Sequence, residues 1–318
     1  RDSVASRGLG DVYKRQVFNE MSETSGLAGV YAPMTMALAD VDGNGTLDLY
    51  VTNNRSSDIR DEGSITLRRV GGELVIPAKY RKRLLVSGGI VKEYGEADFL
   101  FLNDGKGVFR KLSWTGGMFL TPQGEPLSDT PLDWGLSAAF HDINHDGLPD
   151  LYVCNDFWTP DRFWINQGDN FKLLNPENIG KTSASSMGVV FSDYDRDGDL
   201  DILLTENNGP VHLWRNDTVE KSFLRVILES KTNNRNALGA KVIVTIGDYK
   251  MERIIRTGSS YLSQSELTAS FGLGNHTAVD SLSIIWPSGS IDTFTNIKNN
   301  REIFIKEGSN LAKELTKN

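Results

Sequence analysis

Three times in the first two thirds of the chain, a strand-like apolar run is followed by nine largely polar residues and then by a second apolar run. Met34-Thr-Met-Ala-Leu-Ala39 precedes Leu49-Tyr-Val51, Leu136-Ser-Ala-Ala-Phe-His141 precedes Leu151-Tyr-Val153, and Met187-Gly-Val-Val-Phe-Ser192 precedes Ile202-Leu-Leu204. Short runs of this kind, bounded by turn formers, predict buried strands. Each unit then continues into an aromatic strand and an Asn/Gly-rich turn, at Ala97 to Phe109, Arg162 to Phe171 and Leu213 to Asn216, usually with another strand beyond. Four strands per unit is the composition of a propeller blade. The interval from the second unit to the third is close to the ~40–50-residue period of such blades.

The pattern changes from Ser222 onward. Longer alternating runs, Phe223 to Leu228, Gly239 to Ile246, Glu252 to Arg256, Ser281 to Trp286 and Arg301 to Ile305, predict a separate all-β domain of sandwich type. Its Phe271 and Trp286 are expected in the core. The first unit carries a charged insertion at 55–96, with strands expected near Glu73-Leu-Val-Ile76 and Arg83-Leu-Leu-Val86. A Gly/Pro/Thr-rich excursion at 114–134 reads as exposed loop. Trp114, Phe119 and Trp134 within it raise the sharper expectation of a partner-binding surface.

The intervals between paired strands carry the chemistry. Asp40-Val-Asp-Gly-Asn-Gly-Thr-Leu-Asp48, Asp142-Ile-Asn-His-Asp-Gly-Leu-Pro-Asp150 and Asp193-Tyr-Asp-Arg-Asp-Gly-Asp-Leu-Asp201 share one spacing. Oxygen ligands at positions 1, 3 and 5, a glycine at 6 and a backbone carbonyl at 7 suit a hard, oxygen-seeking cation. The candidate calcium ligands are therefore Asp40, Asp42, Asn44, Thr46 and Asp48 in the first loop. In the second they are Asp142, Asn144, Asp146, Leu148 and Asp150, and in the third Asp193, Asp195, Asp197, Asp199 and Asp201. Magnesium, which keeps its waters, fits less well. An EF-hand is excluded, since position 12 is Val51, Val153 or Leu204 where a Glu is needed, and strands flank the loops where helices should. Any single copy reads equally well as a solvated Asx turn; three copies in one strand–loop–strand setting favour calcium. The first loop, with Asn44 at position 5, ranks below the other two, and His145 is expected to be a solvent-facing spacer.

Composition narrows the picture. A formal charge of −8 is concentrated in these loops, so bound divalent ions would offset most of it, and nothing suggests a nucleic-acid surface. No apolar run reaches the roughly 18 residues of a transmembrane helix. The lone Cys154 sits in an apolar strand and excludes an intrachain disulfide. Residues 1–16 match nothing downstream and are expected to be a non-native segment, a secretory signal having been lost with the true N-terminus.

Residues 34 to 216 resemble the FG-GAP, or VCBS, repeats of integrin-α-like β-propellers through the Asp-rich loops. Asn234 to Val242, Ser260-Tyr-Leu-Ser-Gln264, Phe271-Gly-Leu-Gly274, Val279-Asp-Ser-Leu282 and Trp286-Pro-Ser-Gly289 resemble the ASPIC/UnbV domain, in that order. Together they are similar to the secreted cartilage-acidic-protein and UnbV-like family. The resemblance implies a partial propeller at 25–218, an ASPIC/UnbV-like domain of sandwich type at 222–308 and a polar tail at 309–318. It also implies Ca2+ in the loops and no catalytic residue. Such propellers generally have more blades than three, so a fragment of a longer protein is expected.

The function expected is a calcium-stabilised binding or adhesion module, secreted or in the cell envelope, engaging a protein or glycan partner, and not an enzyme. The alternatives are a calcium-dependent hydrolase or lyase, drawing on His141, His145, His212, His276, Ser259 and Ser260, or a non-catalytic domain of a larger enzyme. The chain lacks zinc-type histidine spacing, a Gly-x-Ser-x-Gly elbow and a phosphate loop.

Overall fold

Period-two alternation decides how the first two thirds of the chain pack, and it is visible strand by strand in the computed structural model. The structure describes residues 19–29, 31–175, 178, 182, 185–217, 221–231, 234–309 and 312–315; the segment expected to be non-native, 1–16, lies outside them. After a single helical turn, α1 (Ser22–Ser25), comes a sheet of β1 (Pro33–Ala39), β2 (Asp48–Asn53), β7 (Phe99–Asn103) and β8 (Phe109–Lys111). Between β2 and β7 the insertion folds as two hairpins, β3 (Arg68–Val70) with β4 (Glu73–Val75), and β5 (Leu84–Ser87) with β6 (Ile90–Glu93). The second sheet contains β10 (Gly135–His141), β11 (Asp150–Asn155), β12 (Arg162–Asn166) and β13 (Phe171–Leu173), with β9 (Phe119–Leu120) added in parallel to β13. The third holds β14 (Ser186–Ser192), β15 (Asp201–Glu206) and β16 (Val211–Trp214), so among the described residues it has three strands where four were expected.

Successive side chains on β11 point to opposite sheets. Leu151 and Val153 join Ala37, Tyr50 and Leu100 of the first sheet in one core, while Tyr152 and Cys154 join Val189, Phe191 and Leu204 of the third in another. The sheets therefore stack as blades, and the middle one is buried on both faces. The end blades keep apolar rows outside: Met34, Met36 and Leu38 at one end, Val211 and Leu213 at the other. No closed ring forms among the described residues.

The excursion at 114–134 corrects the sequence reading. Trp114, Phe119 and Trp134 are buried and do not form a partner surface. Trp114 packs on Phe119 with ring centres 4.0 Å apart and on Trp164 at 5.7 Å, and Phe119 also stacks on Phe171. The excursion is a lid over the first inter-blade core, drawn in because these rings bury a large apolar area.

The C-terminal part is a two-sheet sandwich around one core that includes Phe271 and Trp286. One sheet runs β20 (Ala269–Gly274), β17 (Ser222–Glu229), β23 (Arg301–Lys306), β24 (Lys313–Glu314). The other runs β19 (Tyr249–Ile254), β18 (Lys241–Ile246), β21 (Ala278–Ile285), β22 (Ile291–Lys298). β24 lies in the stretch expected to be a polar tail, yet it pairs with β23.

At the blade ends opposite the Asp-rich loops, two buried carboxylates recur. Asp98 accepts from the Asn53 N–H (2.7 Å) and the Tyr50 hydroxyl (2.9 Å), and Asp161 accepts from the Asn155 N–H (2.8 Å) and the Tyr152 hydroxyl (2.8 Å). Burial pushes the Asp98 carboxyl up to about 8 against these bonds, with Asp133 adding repulsion, and burial raises Asp161 to about 6.

Two outcomes follow from this packing. Trp164→Ala, which empties a fully buried site between Trp114 and Phe119, should lower unfolding free energy by about 3–5 kcal/mol, read by equilibrium urea denaturation. Because folding raises the Asp98 pKa, the folded state retains a proton between pH 4 and about 8 that the unfolded state has released. Its contribution to stability therefore falls as pH rises through that window, by up to ~1.4 kcal/mol per pH unit. Denaturation at pH 5, 6.5 and 8 should show a shallower decline for Asp98→Asn than for the unsubstituted chain; equal slopes would exclude this role.

Candidate metal centre

The three nine-residue loops fold alike because each closes on its own backbone. The position-1 carboxylate accepts the position-6 glycine N–H: Gly45 to Asp40 (2.9 Å), Gly147 to Asp142 (3.0 Å), Gly198 to Asp193 (3.2 Å). Positions 3 and 5 each accept an N–H two residues on, as from Asn44 to Asp42, Thr46 to Asn44, Asp146 to Asn144 and Leu148 to Asp146. The turns require positive φ at position 6 (Gly45 +83, Gly147 +94, Gly198 +113), which glycine adopts without strain. Position 4 is also left-handed, and there His145 and Arg196 take φ of 56 and 61.

Position 9 has a second task. Asp48 accepts the Val41 N–H (2.8 Å) with one oxygen and the Asn103 N–H (2.8 Å) with the other. Asp150 does the same with Ile143 and Asn166, and Asp201 with Tyr194 and Asn216. The asparagine amide then reaches across to the preceding blade. Asn166 Nδ2 donates to the Val41 carbonyl (2.9 Å) and Asn216 Nδ2 to the Ile143 carbonyl (3.1 Å). Position 9 thus links loop, own blade and, through asparagine, the neighbouring blade. Sequence reading saw it only as a potential ligand; the recurrence of Asn103, Asn166 and Asn216 in the aromatic-strand turns was the signal available.

Among the described residues, two sets of carboxylates converge with oxygens within 4.8 Å of one another: Asp40, Asp42 and Asp48, and Asp193, Asp195 and Asp197. In both, a buried position-1 oxygen, Asp40 Oδ1 or Asp193 Oδ1, has no hydrogen-bond partner, and Asp199 Oδ1 is likewise unmet. Burial, then repulsion from neighbouring acids, pushes Asp199 up to about 8; burial raises Asp48 to about 6, and Asp40, Asp193 and Asp201 also lie above the ordinary carboxylate range. Crowded, buried, partly unsatisfied oxygens are the donor set that a hard cation satisfies. The residues present fit calcium in the first and third loops.

The second loop differs, contrary to its rank from sequence. Asn144 Nδ2 donates to Asp146 (2.8 Å), and Asp142 Oδ2 accepts a further N–H from Gly272 of the C-terminal domain (3.0 Å). A Cβ at Gly272 would lie 2.3 Å from that carboxylate oxygen, so only glycine permits the approach. His145, expected to face solvent, is buried. Its carbonyl accepts the Gly274 N–H (3.0 Å), its ring lies 5.9 Å from Phe223, and burial lowers its pKa to about 4. The second loop is thus a docking point for the C-terminal domain. The third is docked as well, through buried Arg225, whose Nε lies 3.3 Å from Asp193 and whose other contacts are Glu266 and Glu302.

The residues considered for catalysis do not assemble. Ser259 bonds to Ser265 (2.9 Å) and Ser260 to Ser137 (3.0 Å), His141 is half-buried against Phe191 with its pKa lowered to about 3 by desolvation, and His212 pairs with Glu206 (2.8 Å). None forms a nucleophile–base pair among the described residues.

Comparison with known proteins finds matches in both the blade-forming part and the C-terminal part. The family model described as "ASPIC and UnbV" matches residues 230–312, and that described as "FG-GAP-like repeat" matches 142–204. Cartilage acidic protein 1 of Mus musculus is 23% identical over 365 residues, covering 86% of this chain and 54% of the relative. The Homo sapiens protein of the same name is also 23% identical, and the Xenopus tropicalis protein 24%, with the same 86% of this chain covered. The chain spans about half the length of the curated relatives it matches. The chain thus carries a match to an FG-GAP-like repeat in its middle and to the ASPIC and UnbV family towards its C-terminus, and is distantly similar to cartilage acidic protein 1.

Proposed function

We propose that this chain is a calcium-stabilised, non-catalytic binding module of the extracellular space or cell envelope, engaging a protein or glycan partner. Propeller blades at 25–218 and a sandwich at 222–308 form its body, and calcium is held by Asp40, Asp42, Asn44 and Asp48 and by Asp193, Asp195, Asp197 and Asp199. The observation carrying this reading is the pair of buried, partnerless position-1 oxygens inside converged carboxylate clusters. The name of the relatives points to cartilage, an extracellular tissue, which supports the location. No helix of the described residues is long and apolar enough to cross a membrane.

In this role the metal is structural. It replaces mutual repulsion among carboxylates with attraction and so stiffens the loops that join each blade's first two strands. The affinity expected is that of extracellular modules, ~0.1–1 mM. At 10 mM calcium this gives about 1.4–2.7 kcal/mol per site, a rise of several degrees in unfolding midpoint. Thermal unfolding in EDTA, calcium and magnesium should show this rise with calcium alone. Asp197→Asn should remove part of it, yet be neutral or stabilising in EDTA, where it relieves repulsion. No shift with calcium would sink the reading.

A further inference from the structure

The C-terminal domain does not close on the blades along its whole length. Between the first two Asp-rich loops and β19 lies a cleft of about 550 Å³, within the size range of ligand sites. Every residue of β19 lines it. β19 is also the edge strand of its sheet, paired with β18 alone among the described residues. A strand edge left open presents a row of main-chain donors and acceptors that another extended segment can pair with, and proteins usually blunt or cover such edges.

Elsewhere the same domain uses its chain to cover a blade edge. The segment from Ser259 to Glu266 lies along β14: Val189 N–H donates to Ser260 Oγ (3.1 Å), Phe191 N–H to Ser265 Oγ (3.2 Å), and Glu266 N–H to the Phe191 carbonyl (3.3 Å). Among the described residues, no segment hydrogen-bonds along the free edge of β19 in this way.

Charge tells which segment would fit. Lys250 and Arg253 on β19, and Arg256 just beyond it, line the cleft with no carboxylate within ion-pair distance among the described residues. Arg253 is held differently: its guanidinium lies over the Phe271 ring (5.4 Å) and one terminal nitrogen donates to the Glu252 carbonyl (3.1 Å), on the face of β19 opposite Lys250. Of the acids lining the cleft, Glu252 is committed to Lys241 (2.7 Å), Glu266 to Arg225 (2.7 Å), and Asp142 to the N–H groups of Gly147 and Gly272, while Asp40 belongs to the first loop's carboxylate cluster and Asp248 lies just before β19. The facing wall adds apolar surface from Leu38, Leu47 and Leu148.

From this juxtaposition of a free strand edge, unpaired cations and an apolar wall, we infer that the cleft binds an extended acidic peptide segment of a partner protein, which adds as a strand to β19. Its carboxylates meet Lys250 and, just beyond the strand, Arg256, and its alternate aliphatic side chains face the blades. The inference rests on the binding-module reading and supplies its partner class. Main-chain pairing gives such complexes affinity, and the side-chain contacts give them selectivity. A saccharide has no amide ladder to offer the edge.

The test is fluorescence anisotropy of a labelled peptide of alternating valine and aspartate, titrated with the full chain in millimolar calcium. Saturable binding is expected, weakened about tenfold or more by the double variant Lys250→Gln/Arg256→Gln at the cleft's exposed rim, and absent for a peptide of alternating valine and lysine. Should the double variant fail to fold, judged by circular dichroism, Lys250→Gln alone carries the test with a smaller expected loss. The inference is overturned if the acidic peptide does not bind at millimolar concentration, if folded variants bind it unchanged, or if oligoglucuronate binds the cleft and the peptide does not. The calcium-dependent rise in melting is read on the same samples, so loss of the cleft reading leaves the metal reading separately judged.

Discussion

The structure depends on one repeated carboxylate. In each Asp-rich loop the position-9 aspartate holds the N–H of position 2 with one oxygen and the N–H of an asparagine at the end of the adjacent strand with the other. Hydrogen bonds from backbone donors to a carboxyl buried from water hold their geometry firmly, because leaving either partner unmet there is costly. They fix where the loop sits on its own blade. The asparagine amide then carries the constraint to the preceding loop, so blade stacking and loop conformation are coupled. A set of mutually repelling acids is thereby kept in register.

The opposite end of the blades is held differently. There a buried aspartate, Asp98 or Asp161, is clamped by a tyrosine hydroxyl and an asparagine N–H in the first two blades. In the third blade the matching positions on β15 are Leu203 and Glu206, and Glu206 turns to His212. The arrangement lapses at the blade whose outer face carries exposed Val211 and Leu213, as though the clamp belongs with a neighbouring sheet to pack against.

The three loops have diverged in use while keeping one backbone. The first stays exposed at the mouth of the cleft, the second has turned its carboxylate and its His145 carbonyl to the C-terminal domain, and the third shares Asp193 with Arg225. Carboxylate clustering and domain docking therefore draw on the same short motif. Any change in loop charge is felt at the junction between blades and sandwich.

Much of this was legible in the chain. Asp, Asn and Gly at fixed spacing between two apolar runs specify a tight oxygen-lined turn between strands, because turn geometry and side-chain alternation are local properties. The same holds for the change to long alternating strands after Ser222. What the local pattern does not contain is which neighbour a side chain meets. Trp114, Phe119 and Trp134 read as surface and are core, since the sheet that covers them comes from distant segments. His145 reads as a spacer and is buried because β20 lies across it. Asp98 and Asp161 drew no notice as single acids, and the open edge of β19 exists only once the sandwich is seated on the blades. The sequence determines the elements and the loop chemistry, whereas tertiary packing alone decides which carboxylates converge, which are taken by backbone donors and which surfaces remain open, because those outcomes depend on pairings between residues far apart in the chain.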